Sequence, residues 1–126
     1  VTRSKLKMEF DDGKKIITFI TPANNKIVIS DDGQSILLQD QTNNKVELST
    51  SGILLDSPKD ITIKALGKVS ISAVQNVEIA AQMDVTTTGL NISSTANVSL
   101  TAKGTASAEL SAAGQTTVKG AMVMIN

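Results

Sequence analysis

The sequence predicts an all-β protein built from short, regularly spaced strands. Three observations carry that prediction. Val, Ile and Thr alternate with polar residues along almost the whole chain, the pattern of half-buried strands. Turn-forming pairs punctuate the first half about every ten residues. The second half repeats with a period of eight. The fold class expected is a β-helix of stacked short strands, a triangular β-prism wound by one chain or by three; its two parts are residues 1–60, strands with charged turns, and 61–126, an octad repeat.

In the first part, Leu6, Met8 and Phe10 alternate ahead of Asp11-Asp12-Gly13. Ile16 to Ile20 follows and ends at Thr21-Pro22-Ala23-Asn24-Asn25. Ile27-Val28-Ile29 precedes Asp31-Asp32-Gly33, and Ile36-Leu37-Leu38 precedes Asp40 to Asn44. Val46 and Leu48 lead to Ser51-Gly52, and Ile53-Leu54-Leu55 closes the series before Pro58. Asp-Gly and Asn-Asn form turns because Gly and Asn tolerate positive φ. Hairpins within the chain and crossings between chains use similar turns, so strand direction stays open over 1–60.

In the second part, Ile61, Val69, Val77 and Val85 lie eight apart. Two residues later stand Ile63, Ile71, Ile79 and Thr87, and two later again Ala65, Ala73, Ala81 and Gly89. The phase slips at Gly89-Leu90 and resumes through Ile92, Val98 and Leu100. Helix is rejected for the Ala-rich end, since Thr-Val-Ser-Leu-Thr alternates with period two. A short fixed period signals stacked units that bury a face against their neighbours. Five strand residues and a three-residue corner make one side of a prism, wound by one chain alone or by three interleaved. The expected inward residues are Ile61, Ile63, Val69, Ile71, Val77, Ile79, Val85, Ile92, Val98 and Leu100.

Composition excludes several functions. The 126 residues hold 12 Lys plus Arg against 12 Asp plus Glu, with no Cys, His, Trp or Tyr and two Phe. No disulfide, thiolate nucleophile or cysteine zinc site is available. The commonest general base and metal ligand are missing. Neutral charge with almost no rings argues against nucleic acid. No cofactor, metal or catalytic residue is expected, and the protein is read as not an enzyme. No stretch approaches the roughly 20 apolar residues of a membrane-spanning helix. No secretory signal is visible, and a chain opening on Val1 is read as an excised fragment.

Individual motifs mostly reduce to local structure. Asp11-Asp12-Gly13 and Asp31-Asp32-Gly33 lack calcium-loop spacing and read as turns. Ser4-Lys5-Leu6-Lys7 matches S-x-x-K without its companion motifs. Asn91-Ile92-Ser93 and Asn97-Val98-Ser99 read as outward strand positions, and the Ser/Thr rows as a soluble outer face. The end is different: Ala121, Met122, Val123, Met124, Ile125 and Asn126 form a nearly continuous apolar run. It reads either as a last strand with both faces buried or, in a trimer, as three converging ends that make a small platform of strand edges and adaptable Met side chains.

The segment Ser57 to Ala65 with the following octads resembles the C-terminal spike of VgrG proteins and related phage baseplate spikes of contractile injection systems. The ending Gly114 to Asn126 resembles the blunt terminus of that family, and Met8-Glu9-Phe10-Asp11-Asp12 the stretch after its OB-fold domain. The resemblance implies an intertwined homotrimeric β-helix, a triangular β-prism needle with a blunt tip at the head of an injection machine (type VI secretion, phage tail or extracellular injector), driven through a target-cell envelope. It implies cytoplasmic assembly and later expulsion or exposure at the distal tip. It also implies a PAAR-repeat tip protein docked on Ala121 to Asn126. Two other readings compete: a trimeric fibre or adhesin stalk recognising surface glycans, and a polysaccharide-cleaving single-chain β-helix. The first lacks a ligand groove with aromatic or acidic residues; the second lacks an acid pair, since residues 61–126 hold only Glu78, Asp84 and Glu109 as acids.

Overall fold

A computed structural model describes Val1–Asn126 as two units, Val1–Ala73 and Val74–Asn126. The protein is all-β, with six strands and no helix. The strands are β1 (Lys7–Asp11), β2 (Ile16–Ile20), β3 (Lys26–Ser30), β4 (Ser35–Gln39), β5 (Lys45–Ser49) and β6 (Gly52–Asp56). They form one antiparallel meander in chain order. The first-half turns are therefore hairpins within one chain, which settles the strand direction.

The meander is itself a repeat. Thr2–Ile20 and Thr21–Gln39 each consist of a five-residue turn, a strand, a four-residue turn and a second strand; Asp40–Asp56 is the same unit with its inner turn cut to Thr50-Ser51. The five-residue turns share one hydrogen-bond pattern. The Thr21 N–H donates to the Asn25 carbonyl at 2.9 Å, and the Asn24 N–H to the Thr21 carbonyl at 2.9 Å. The Asn25 N–H donates to Thr21 Oγ1 at 3.1 Å. Thr2 and Asp40 take the place of Thr21 in the other two turns, accepting from Leu6 and Asn44. The fourth residue of each turn, Lys5, Asn24 or Asn43, has φ of 60°, 68° or 69°. Asn tolerates that left-handed geometry best among non-glycine residues.

The four-residue turns depart from expectation in one detail. Their left-handed residues are Lys15 and Gln34, at φ 50° and 47°, not the glycines of Asp-Gly. Gly33 serves close approach instead. Its N–H donates to Ser30 Oγ at 2.9 Å, and a Cβ there would stand 2.8 Å from that oxygen.

Residues 57–126 carry no paired strand, although their alternation predicts strand after strand. Within Val1–Ala73, bends fall at Pro58-Lys59 and Leu66-Gly67. Within Val74–Asn126 they fall at Val74-Gln75, Gln82-Met83, Leu90, Asn97-Val98, Thr105-Ala106, Ala113-Gly114 and Ala121-Met122. The spacing is the octad, with the Gly89-Leu90 slip visible as one shorter step. Val74–Asn126 has no backbone hydrogen bond of its own. A strand exists only with a partner, and one chain supplies none to these segments.

Candidate trimerisation surface

Register fixes which residues share a face, because successive strand residues point to opposite sides. One face of the meander carries two rows that cross all six strands. The first row is Met8, Phe19, Ile27, Leu38, Val46 and Leu55; the second is Phe10, Ile17, Ile29, Ile36, Leu48 and Ile53. All twelve residues are apolar. The other face mixes charged and polar residues, among them Lys7, Lys26, Gln39 and Lys45, with the apolar Ile20, Val28, Leu37 and Leu54. There Lys7 pairs with Glu9, and Lys45 Nζ lies 3.8 Å from Glu47 Oε2.

The apolar face has no cover. No residue of the chain is buried, and Met8, Phe10, Leu38, Ile53 and Leu55 are each more than half exposed. The first row floors an open trough of ≈ 850 Å³, and Phe10, Ile17 and Ile29 line a smaller one of ≈ 290 Å³. The whole chain exposes 12307 Å². A folded monomer of 13.2 kDa would expose about 6400 Å². A contiguous apolar patch of twelve residues marks an interaction surface.

Polar side chains around the turns serve the turns. Both Asp40 oxygens accept from Thr42 Oγ1 at 2.8 Å, and Asp40 Oδ2 accepts from Asn44 Nδ2 at 2.8 Å. The bonds from Asn44 first, and from Thr42, hold the Asp40 carboxyl down at about 2. Ser57 Oγ donates to Asn44 Oδ1, tying the end of the meander to its last five-residue turn. No group of three or more Asp or Glu residues is arranged to hold a metal ion.

The residues expected to point inward form graded rows. Ile61, Val69 and Val77 are 50%, 51% and 53% exposed, and Ile63, Ile71 and Ile79 are 70%, 73% and 75%. Each row thus repeats its surroundings octad after octad. Val85 and Ile92 follow the first row at 60%, and Leu100 reaches 70%. Val98 stands at a bend and is wholly exposed. Ala121 and Met122 bend the chain end, and Met122, Met124 and Ile125 are largely exposed. The lone chain buries none of these residues.

Sequence reasoning found the strands but not the twelve-residue face they build together. The signal was present. Thr2, Thr21 and Asp40 are spaced by 19 residues, as are Lys7, Lys26 and Lys45. That period, laid over alternation within each strand, puts the apolar positions in one phase.

No curated protein matches the chain. Residues 16–81 match the family described as the phage baseplate V C-terminal trimerisation domain. The matched stretch takes in β2 to β6 and the first octads, just over half of the chain. With that match and an apolar sheet left uncovered by its own chain, the protein belongs to the phage baseplate V C-terminal trimerisation domain family, a structural baseplate component.

Proposed function

We propose that three copies of this chain form the shaft of a membrane-piercing spike in a contractile injection machine. The uncovered apolar face of the β1–β6 sheet carries this reading. Three such sheets around a threefold axis make a triangular prism with a dry Met/Phe/Ile/Leu/Val interior and a polar exterior. Strands lie across the axis, so ladder hydrogen bonds run along it. After Asp56 the eight-residue segments of the three chains interleave as a β-helix. Each segment gains on a neighbouring chain the ladder partners missing from its own. Ile61, Val69, Val77 and Val85 then face the axis, with Ile63, Ile71 and Ile79 beside them. Stiffness comes from many coupled ladder bonds and not from any special residue.

At the far end, Ala121 to Asn126 from three chains make a small platform of strand edges and flexible Met side chains. A PAAR-repeat tip protein docks there, and sheath contraction drives the capped shaft through a target-cell envelope. The protein acts mechanically, without catalysis or a cofactor, after assembly in the bacterial cytoplasm.

Light scattering coupled to size exclusion tests the assembly. The expected mass is about 40 kDa, three times 13.2 kDa. A stable monomer would overturn the trimeric shaft. For the cap, a chain truncated before Ala121 is expected to remain trimeric and to lose binding to a PAAR-repeat protein. Undiminished binding removes the platform.

A further inference from the structure

The meander separates charge between its two turn-bearing ends. Odd strands start, and even strands finish, at the end carrying the five-residue turns. That end holds Arg3, Lys5, Lys7, Lys26, Lys45 and Lys59 against Asp40, Asp56 and Asp60, six positive and three negative charges. About 17 Å away across a five-residue strand, the other end holds Asp11, Asp12, Asp31 and Asp32 against Lys14 and Lys15. The chain's own ion pairs leave this asymmetry in place. Lys14 Nζ lies 3.8 Å from Asp11 Oδ2, and Lys15 Nζ 3.9 Å from Asp32 Oδ1. Asp12 and Asp31 have no ion pair and no side-chain hydrogen bond, and neither have Arg3 and Lys26 at the opposite end.

We propose that these two ends dock onto each other between copies of the chain, Asp12 and Asp31 of one copy meeting Arg3 and Lys26 of the next. The inference rests on the trimeric reading with strands lying across the axis. In a threefold ring every contact joins two different surfaces of identical chains. A sheet that turns its apolar face to the axis offers one strand end to each neighbour. An acidic end then always meets a basic one, and each complementary contact occurs three times. A ring with one copy inverted along the axis would bring like ends together at a cost. Charge at the corners thus selects three parallel copies over a ring with one copy inverted, a choice the non-directional hydrophobic effect cannot make.

The test is a charge swap in the full chain, read as trimer dissociation by analytical ultracentrifugation at about 50 mM and about 500 mM salt. D12K/D31K and R3E/K26E alone are each expected to weaken the trimer on the order of tenfold or more at low salt, because every lost pair counts three times. The combined four-site variant is expected to recover most of that loss. Salt should weaken the wild-type trimer and strengthen each half-swap, whose like-charged ends it screens. If the four-site variant is only as stable as the two half-swaps taken additively, the two ends do not meet and the proposal is overturned while the trimer stands. A monomeric wild-type chain overturns the trimeric reading and this proposal with it.

Discussion

Leu38→Ala is the most direct probe of the apolar sheet face. Leu38 sits in the middle of the first row, flanked across the ladders by Ile27 and Val46. It is 52% exposed in the single chain, so about half of its burial remains for a partner to supply. Truncating a fully buried Leu to Ala costs about 2–5 kcal/mol. Half of that, roughly 1–2.5 kcal/mol, belongs to association. Three copies bring the loss to about 3–7.5 kcal/mol per trimer, or about two to five orders of magnitude in the association constant. The control is Glu47→Ala, next to Val46 in sequence but on the polar face, where changes stay within about 0.5 kcal/mol. Sedimentation equilibrium across the micromolar range reads both. If Leu38→Ala weakens the trimer no more than Glu47→Ala does, the apolar face is not the interior, and the argument from register to assembly fails.

Other perturbations reach the remaining parts of the chain. Ile71→Asp brings three charges to the axis of the proposed shaft, a desolvation cost of several kcal/mol for each unpaired ion; assembly should fail, and a trimer of unchanged melting temperature would refute the inward place of Ile71. At Gly104 an added Cβ would overlap the Ser107 carbonyl oxygen, so Gly104→Ala must displace the Thr105-Ala106 bend and should lower the melting temperature; an unchanged melt would refute that bend geometry. Asp40 gives a pH dependence of known sign. Its folded pKa, about 2, lies below the ordinary carboxylate value, so its contribution is fully present above about pH 4 and is lost as pH falls toward 2. Carbon-detected NMR titration should find the Asp40 midpoint near 2, and Asp40→Asn should remove that part of the acid sensitivity; a midpoint near 4 would mean that the Thr42 and Asn44 hydrogen bonds do not form.

How much of this was legible in the sequence follows the range of the interactions involved. Strand positions between Met8 and Leu55 were readable because alternation and turn chemistry are local. So was the octad with its slip, which returns as bends at the same spacing. Local rules failed at the four-residue turns, where glycine was the natural choice for positive φ. In both, the side chain before the turn, Asp11 or Ser30, accepts the N–H of the third turn residue, Lys14 or Gly33, and the left-handed place falls to the fourth, Lys15 or Gln34. The apolar face was harder still. It depends on the register of six strands at once, and a one-residue slip in any hairpin would turn that strand's apolar residues to the other side.

The two repeats differ in what they ask of a partner. In the 19-residue unit, each hairpin supplies ladder hydrogen bonds from its own neighbours, and only the apolar face is left uncovered. In the eight-residue unit, neither need is met within Val74–Asn126: no ladder forms, and Val77, Ile79, Val85 and Ile92 stay half or more exposed. Unpaired buried backbone groups are costly, so the octads cannot form a core on their own chain. The meander keeps its strand pairing without partners, because its contacts are close in sequence and carry little loop-closure cost. A chain that joins these two repeats through Ser57 and Pro58 therefore couples a segment with a self-sufficient backbone to one whose backbone finds no ladder partner within its own chain.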